Sequence, residues 1–297
     1  MNQEEENKQQ DPTQKFDAPP FSESTQSEPG EESEMKIKPD HGEESYKGSG
    51  KLVGRKAIIT GGDSGIGKAV AIAFAREGAD VLISYLNEEE DARDTAQWVE
   101  KEGRKAILVP GDISDEAHCK AIVQRAVDEF GQIDILVNNA AFQMARESLQ
   151  DIPSDEFDKT FKTNIYAMFY LCKAAEPHMK PGSTIINTTS VNAYKPSPML
   201  LAYAATKGAI QNFTANLGQI LADKGIRANC VAPGPIWTPL IPATMPEEAV
   251  KTFGKDTPLK RPGQPVELSA IYVLLASEGS SYMTGSTIQV TGGTPTI

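Results

Sequence analysis

Lys56-Ala57-Ile58-Ile59-Thr60-Gly61-Gly62-Asp63-Ser64-Gly65-Ile66-Gly67 decides the fold. An apolar run with β-branched residues stops at a glycine-rich turn, and the turn opens a segment with helical spacing over 65–77. Between a strand and a helix, glycines let the backbone approach a pyrophosphate, and the helix N-terminus offers N–H groups to it. The spacing is G-x-x-x-G-x-G rather than the commoner G-x-G-x-x-G. Alone, such a turn is equally an ordinary tight connection, so its setting matters.

Outward from the turn the chain alternates. Short apolar runs recur at 56–60, 80–85, 106–111, 133–138, 183–189, 227–232 and 287–290. Helical spacing fills 65–77, 88–102, 115–130, 157–178, 203–223 and 265–276. Strand–helix alternation means right-handed βαβ crossovers and a parallel sheet with helices on both faces. The expected fold class is therefore α/β: a doubly wound Rossmann fold with a seven-stranded parallel sheet, formed by a single domain over 49–297. The stretch 242–264 is rich in Pro, Lys and Thr and holds one short helical piece near 247–253. It breaks the alternation and reads as a mobile flap spanning about 238–264.

The 297 residues can bury a full core. A net charge of −12 argues against an electrostatic nucleic-acid binder. Residues 1–50 carry 13 acidic and 5 basic side chains, so most of that charge lies in a polar N-terminal extension. Residues 1–48 contain no Leu or Val and have five prolines, which reads as a largely disordered arm or one that docks on a neighbouring subunit. The better docking candidates are 35–37 and 46–52. Cys119, Cys172 and Cys230 stand apart in no paired spacing, which fits a reduced, cytoplasmic compartment. The scattered histidines offer no metal site. No run of about 18 apolar residues exists to span a membrane.

Tyr203 and Lys207 stand four apart in a helical segment and share one face. Ser190 closes the fifth strand-like run, and Asn164 lies in the helix before it. A free phenol, with a pKa of about 10, is a poor base at neutral pH. A neighbouring ammonium and an oxidised nicotinamide ring would lower it, so the phenol could exchange a proton with an alcohol or carbonyl. Ser190 would hydrogen-bond the oxygen where charge develops. Tyr in an amphipathic helix is usually packing and Lys a solvated handle; the joint placement with the glycine turn favours chemistry. The usual ribose-reading acid at the end of the second strand is missing, since Tyr85-Leu86-Asn87 stands there. No Arg or Lys awaits a 2′-phosphate in the turn or at that strand end, and Asp63 with the acidic run Glu88–Asp91 would repel one. The balance leans to NAD over NADP.

These motifs resemble the classical short-chain dehydrogenase/reductase family from about Leu52 to Thr291. The turn is similar to that family's TGxxxGIG loop, which implies cofactor contacts at Gly61, Asp63, Ser64, Gly65, Ile66 and Gly67, with Tyr85 and Leu86 beside the ribose. Asp112-Ile113 resembles the adenine-contacting pair. Asn138-Asn139-Ala140-Ala141 resembles the NNAG motif, with Ala141 replacing glycine. The resemblance implies a catalytic set of Asn164, Ser190, Tyr203 and Lys207, in which Asn164 organises a water path from the lysine. Pro233-Gly234-Pro235-Ile236-Trp237-Thr238 resembles the segment lining the nicotinamide, which implies contacts from Pro233, Gly234, Ile236 and Thr238. The chain is also similar to a bacterial group with a polar N-terminal extension, described as general-stress or aldehyde-reducing oxidoreductases. Tetramers built by two long helices and the last strand are a further implication.

The expected function is hydride transfer between a nicotinamide dinucleotide and a carbonyl or alcohol, on a small-molecule substrate. A sugar dehydrogenase would use the same catalytic groups. A dinucleotide-sensing protein without turnover is the alternative of another class. Trp237 is expected either to line the substrate pocket or to pack the flap. Met199 and Leu200 are expected to form an apolar wall before Tyr203.

Overall fold

The computed structural model describes residues 9–296. Seven strands form one parallel sheet: β1 (Lys56–Thr60), β2 (Asp80–Tyr85), β3 (Ala106–Pro110), β4 (Ile133–Asn138), β5 (Met179–Thr188), β6 (Arg227–Pro233) and β7 (Thr287–Val290). Their order is β3-β2-β1-β4-β5-β6-β7. The order reverses between β1 and β4, and that switch point opens a crevice beyond the carboxyl ends of the strands. The doubly wound α/β expectation is met.

Both faces of the sheet are covered, so the strands are buried runs rather than alternating ones. Ile59, Ile83 and Val137 point to one face, where they meet α1 (Gly65–Arg76), α2 (Glu89–Lys101) and α9 (Val266–Ala276). Ile58, Leu82 and Leu136 point to the other. There they meet α3 (Glu116–Phe130), α5 (Ala167–Ala175) and α6 (Leu201–Leu221).

The helix expected over 157–178 is interrupted. It runs as α4 (Ser154–Phe161), a π-helical turn (Lys162–Tyr166), α5 and a short 3-10 piece (Glu176–His178). The Asn164 side chain, at the centre of the π turn, bonds to the loop after β4 instead of pointing to solvent. Single π turns of this kind recur at functional sites.

The 238–264 segment contains α7 (Leu240–Thr244) and α8 (Glu247–Lys251). The described part of the N-terminal extension lies on its own chain, against this segment. Phe21, Met35, Trp237, Ile241 and Val250 form a separate buried apolar cluster. The Phe21 ring sits 4.4 Å from that of Trp237, and the Trp237 indole donates to the Ile37 carbonyl at 2.9 Å. Burying these few anchors offsets the entropy of ordering an otherwise polar stretch.

Candidate active site

Thr60 ends β1, and its hydroxyl accepts from the backbone N–H groups of Asn139 and Ala140 at 3.0 and 3.1 Å. The Asn139 amide returns donors to the carbonyls of Thr60 and Gly61 at 3.2 and 3.1 Å. These bonds knit the glycine turn to the end of β4 across the switch point. The turn is tight enough to demand glycine at one place above all: a Cβ on Gly67 would lie 1.8 Å from the Gly61 carbonyl oxygen. Gly61, at φ +59°, lets the backbone pass within contact of Ala140. Ala141 adopts no left-handed backbone, so the position needs no glycine for its conformation.

A cavity of about 500 Å³ lies over the carboxyl ends of the strands. At the β2–β3 end it is lined by Asp63, Ser64, Tyr85, Leu86, Asp112 and Ile113. Gly61, Gly65, Ile66, Asn139 and Ala140 line its middle, beside the β1–β4 switch point. Ser190, Tyr203, Lys207, Pro233, Gly234, Ile236 and Thr238 line the β5–β6 end. Three expected residues stand behind it. Gly67 packs under the turn, and Asn138 and Asn164 border a small neighbouring void. A continuous trough with a close-approach glycine turn and a lysine at the far end suits a dinucleotide.

Asn164 is buried, with its side chain fully engaged. Its Oδ1 accepts from the Phe142 N–H at 2.7 Å, and its Nδ2 donates to the Phe142 carbonyl at 2.9 Å and to Thr206 Oγ1 at 3.0 Å. Ser190 caps a 3-10 turn, and its hydroxyl accepts from the Asn192 N–H at 3.1 Å. Lys207 is buried on α6, and its amine donates to the Thr188 carbonyl at 2.8 Å. That amine lies 5.1 Å from the Tyr203 ring centre.

The electrostatics differ from the expectation of an acidified phenol. Burial pushes the Tyr203 hydroxyl up to about 12, and a hydrogen bond with Ser190 pulls it only partly back. Burial likewise pushes the Lys207 amine down to about 7. In this chain by itself desolvation outweighs any ammonium–phenol attraction, because both charged forms have lost their water. At the opposite end, burial and then the nearby Glu88 push the Asp63 carboxyl up to about 7.

Several site residues were not legible in the sequence. Phe142, Gln143, Lys159, Met245 and Phe253 line the cavity, as do Glu28 and Pro29 of the extension. Leu200 lines it too, whereas Met199 does not; Trp237 is fully buried in the extension cluster and stays out of the lining. The first N–H of α1 is not free for a ligand. Gly65 donates to the Glu32 carboxylate at 2.9 Å, and the other Glu32 oxygen pairs with Lys68 at 2.8 Å. Burial alone would raise that carboxyl, but the His41 hydrogen bond and the Lys68 charge hold it below its ordinary value. A Glu that docks from about 30 residues upstream leaves no local pattern to detect.

Comparison with known proteins gives a consistent picture. A family model described as enoyl-(acyl carrier protein) reductase matches residues 61–295. General stress protein 39 of Bacillus subtilis is 57% identical over 90% of this chain and 93% of its own length. NADPH-dependent aldehyde reductase 1, chloroplastic, of Arabidopsis thaliana is 48% identical over 90% of this chain and 95% of its own. A crystal structure of a short chain dehydrogenase from Burkholderia cenocepacia in complex with NADP superposes with a TM-score of 0.77 at 32% identity. It covers 82% of this chain and 98% of that one.

Proposed function

The chain belongs to the short-chain dehydrogenase/reductase family and is an oxidoreductase of carbonyl and CH–OH groups; from that premise we propose that it reduces compact, mainly apolar aldehydes or ketones. One observation carries the proposal: Ser190, Tyr203 and Lys207 line the same trough as the glycine turn, beside Phe142, Leu200, Met245 and Phe253. Those four side chains give a compact aldehyde or ketone an apolar wall to pack against, against which a polyol's hydroxyls would lose water.

A bound nicotinamide dinucleotide supplies the hydride. Gly61, Ser64, Ile66, Asn139, Ala140 and Ile113 would hold its adenosine and phosphate portions, and Pro233, Gly234, Ile236 and Thr238 its nicotinamide. Ser190 holds the substrate oxygen and stabilises the charge that gathers there. Tyr203 gives that oxygen its proton. A phenol pushed up to about 12 stays protonated across neutral pH, which is the form reduction needs. Alcohol oxidation would require a positive charge close by to lower it. Lys207 would hold the nicotinamide ribose and, when protonated, would supply part of that charge. Asn164 keeps the π turn open behind the lysine and supports the path by which protons return from solvent.

NAD is the better fit, because Glu88 and Asp112 line the adenosine end, where no Lys or Arg among the described residues lines the cavity. Three similar proteins are named or titled with NADP or NADPH, so binding constants for NADH and NADPH decide between the two. The catalytic assignment is tested by Tyr203→Phe. Turnover of aldehydes should fall about 10²- to 10⁴-fold while binding of the reduced cofactor, read by its fluorescence, is retained. Full activity in that variant refutes the assignment; cofactor binding without turnover in the unaltered chain favours a sensing role instead. We further propose a cytoplasmic tetramer. Phe157, Tyr166, Phe169, Leu201 and Ile220 are exposed along α4, the π turn, α5 and α6, and offer an apolar face for it.

A further inference from the structure

The N-terminal extension reaches the substrate end of the trough. The Phe21 N–H donates to the Lys251 carbonyl at 2.9 Å, and the Gln26 N–H to the Pro242 carbonyl at 3.0 Å. Gly30 passes so close to α7 that a Cβ there would lie 2.7 Å from the Pro239 carbonyl oxygen. This pinned stretch then crosses to the opposite wall. Both Glu28 carboxylate oxygens accept from the Lys159 amine on α4, at 3.2 and 2.9 Å. The same amine stands 4.2 Å over the Phe142 ring. Glu28 and Pro29 line the cavity that holds Ser190 and Tyr203.

We infer that Glu28 is a specificity-determining residue: with Lys159 it forms a charge-neutral bar across the substrate mouth, which selects uncharged carbonyl compounds over anionic ones. The inference rests on the carbonyl-reductase proposal above. An exposed ion pair of this kind adds little to stability. Its effect is on what the mouth presents. With the carboxylate in place, Lys159 is already neutralised, and an incoming carboxylate meets Glu28. With the carboxylate gone, the ammonium faces the mouth beside Phe142 and welcomes an aromatic acid.

The test uses the full chain with reduced cofactor, and two substrates that differ by one carboxylate: benzaldehyde and a carboxylated benzaldehyde. Glu28→Gln keeps the shape and removes the charge; Glu28→Lys reverses it. Each should raise the ratio of kcat/KM for the acid over the neutral aldehyde, by about fivefold for Glu28→Gln and more for Glu28→Lys. Adding Lys159→Ala to Glu28→Gln should abolish that gain. If benzaldehyde is reduced but the ratio stays flat in both single variants, the bar has no role in selection and the inference fails alone. If the unaltered chain binds cofactor yet reduces neither aldehyde nor any other carbonyl, the reductase proposal fails and the inference falls with it.

Discussion

At Lys207, helical spacing places the amine beside Tyr203, but burial sets its charge. In the unfolded chain the amine keeps its proton up to about 10.5, whereas the folded chain releases it near 7. Between those values the unfolded state binds the extra proton, so this group makes stability rise with pH. Lys207→Met removes the titration. Melted without cofactor at about pH 7 and about pH 10, the unaltered chain should gain on the variant at the higher pH. A pH-independent difference contradicts a desolvated amine. Asn164 makes a separate prediction. Asn164→Ala leaves the Phe142 N–H and carbonyl buried without partners, which should cost roughly 3 kcal/mol in urea unfolding. The positions of both residues were legible in the sequence. Their energetics were not, because desolvation and three-way hydrogen bonding depend on what the rest of the chain packs around them.

The glycine turn and the extension lie at opposite ends of legibility. The turn could be read because its demands are local: strand, tight reversal and helix start fall within about a dozen residues. Gly67→Ala is predicted to force the turn apart, since the added methyl meets the Gly61 carbonyl at 1.8 Å. Titration with reduced cofactor should show weakened binding; unchanged affinity would mean that the turn does not shape the cofactor site. The π turn within 162–166 is less readable, since its cause is a bond from Asn164 to the loop after β4. The extension is less readable still. Its anchors Phe21 and Met35 look isolated until Trp237 and Ile241 arrive from about 200 residues away. Phe21→Ala should loosen the extension. Limited proteolysis should then cut ahead of residue 37 faster than in the unaltered chain, and equal cutting rates would show that the ring contact with Trp237 does not hold it.

At the scale of the whole molecule, several large apolar side chains of the described residues stay exposed on one run of helices. They include Phe169 on α5 and Ile220 on α6. Sedimentation at micromolar concentration should report about four times the 32.1 kDa chain mass, and Ile220→Glu or Phe169→Glu should lower it. A monomer in the unaltered protein would rule out the assembly. The sequence by itself determined the strand–helix alternation, the parallel sheet and the pairing of a phenol with an amine, because each follows from short-range periodicity and backbone chemistry. Only the tertiary structure decided how that phenol is charged, that Glu32 takes the first N–H of α1, and that Glu28 reaches the substrate mouth. Those outcomes depend on which distant groups share a desolvated space, and local spacing carries no record of that.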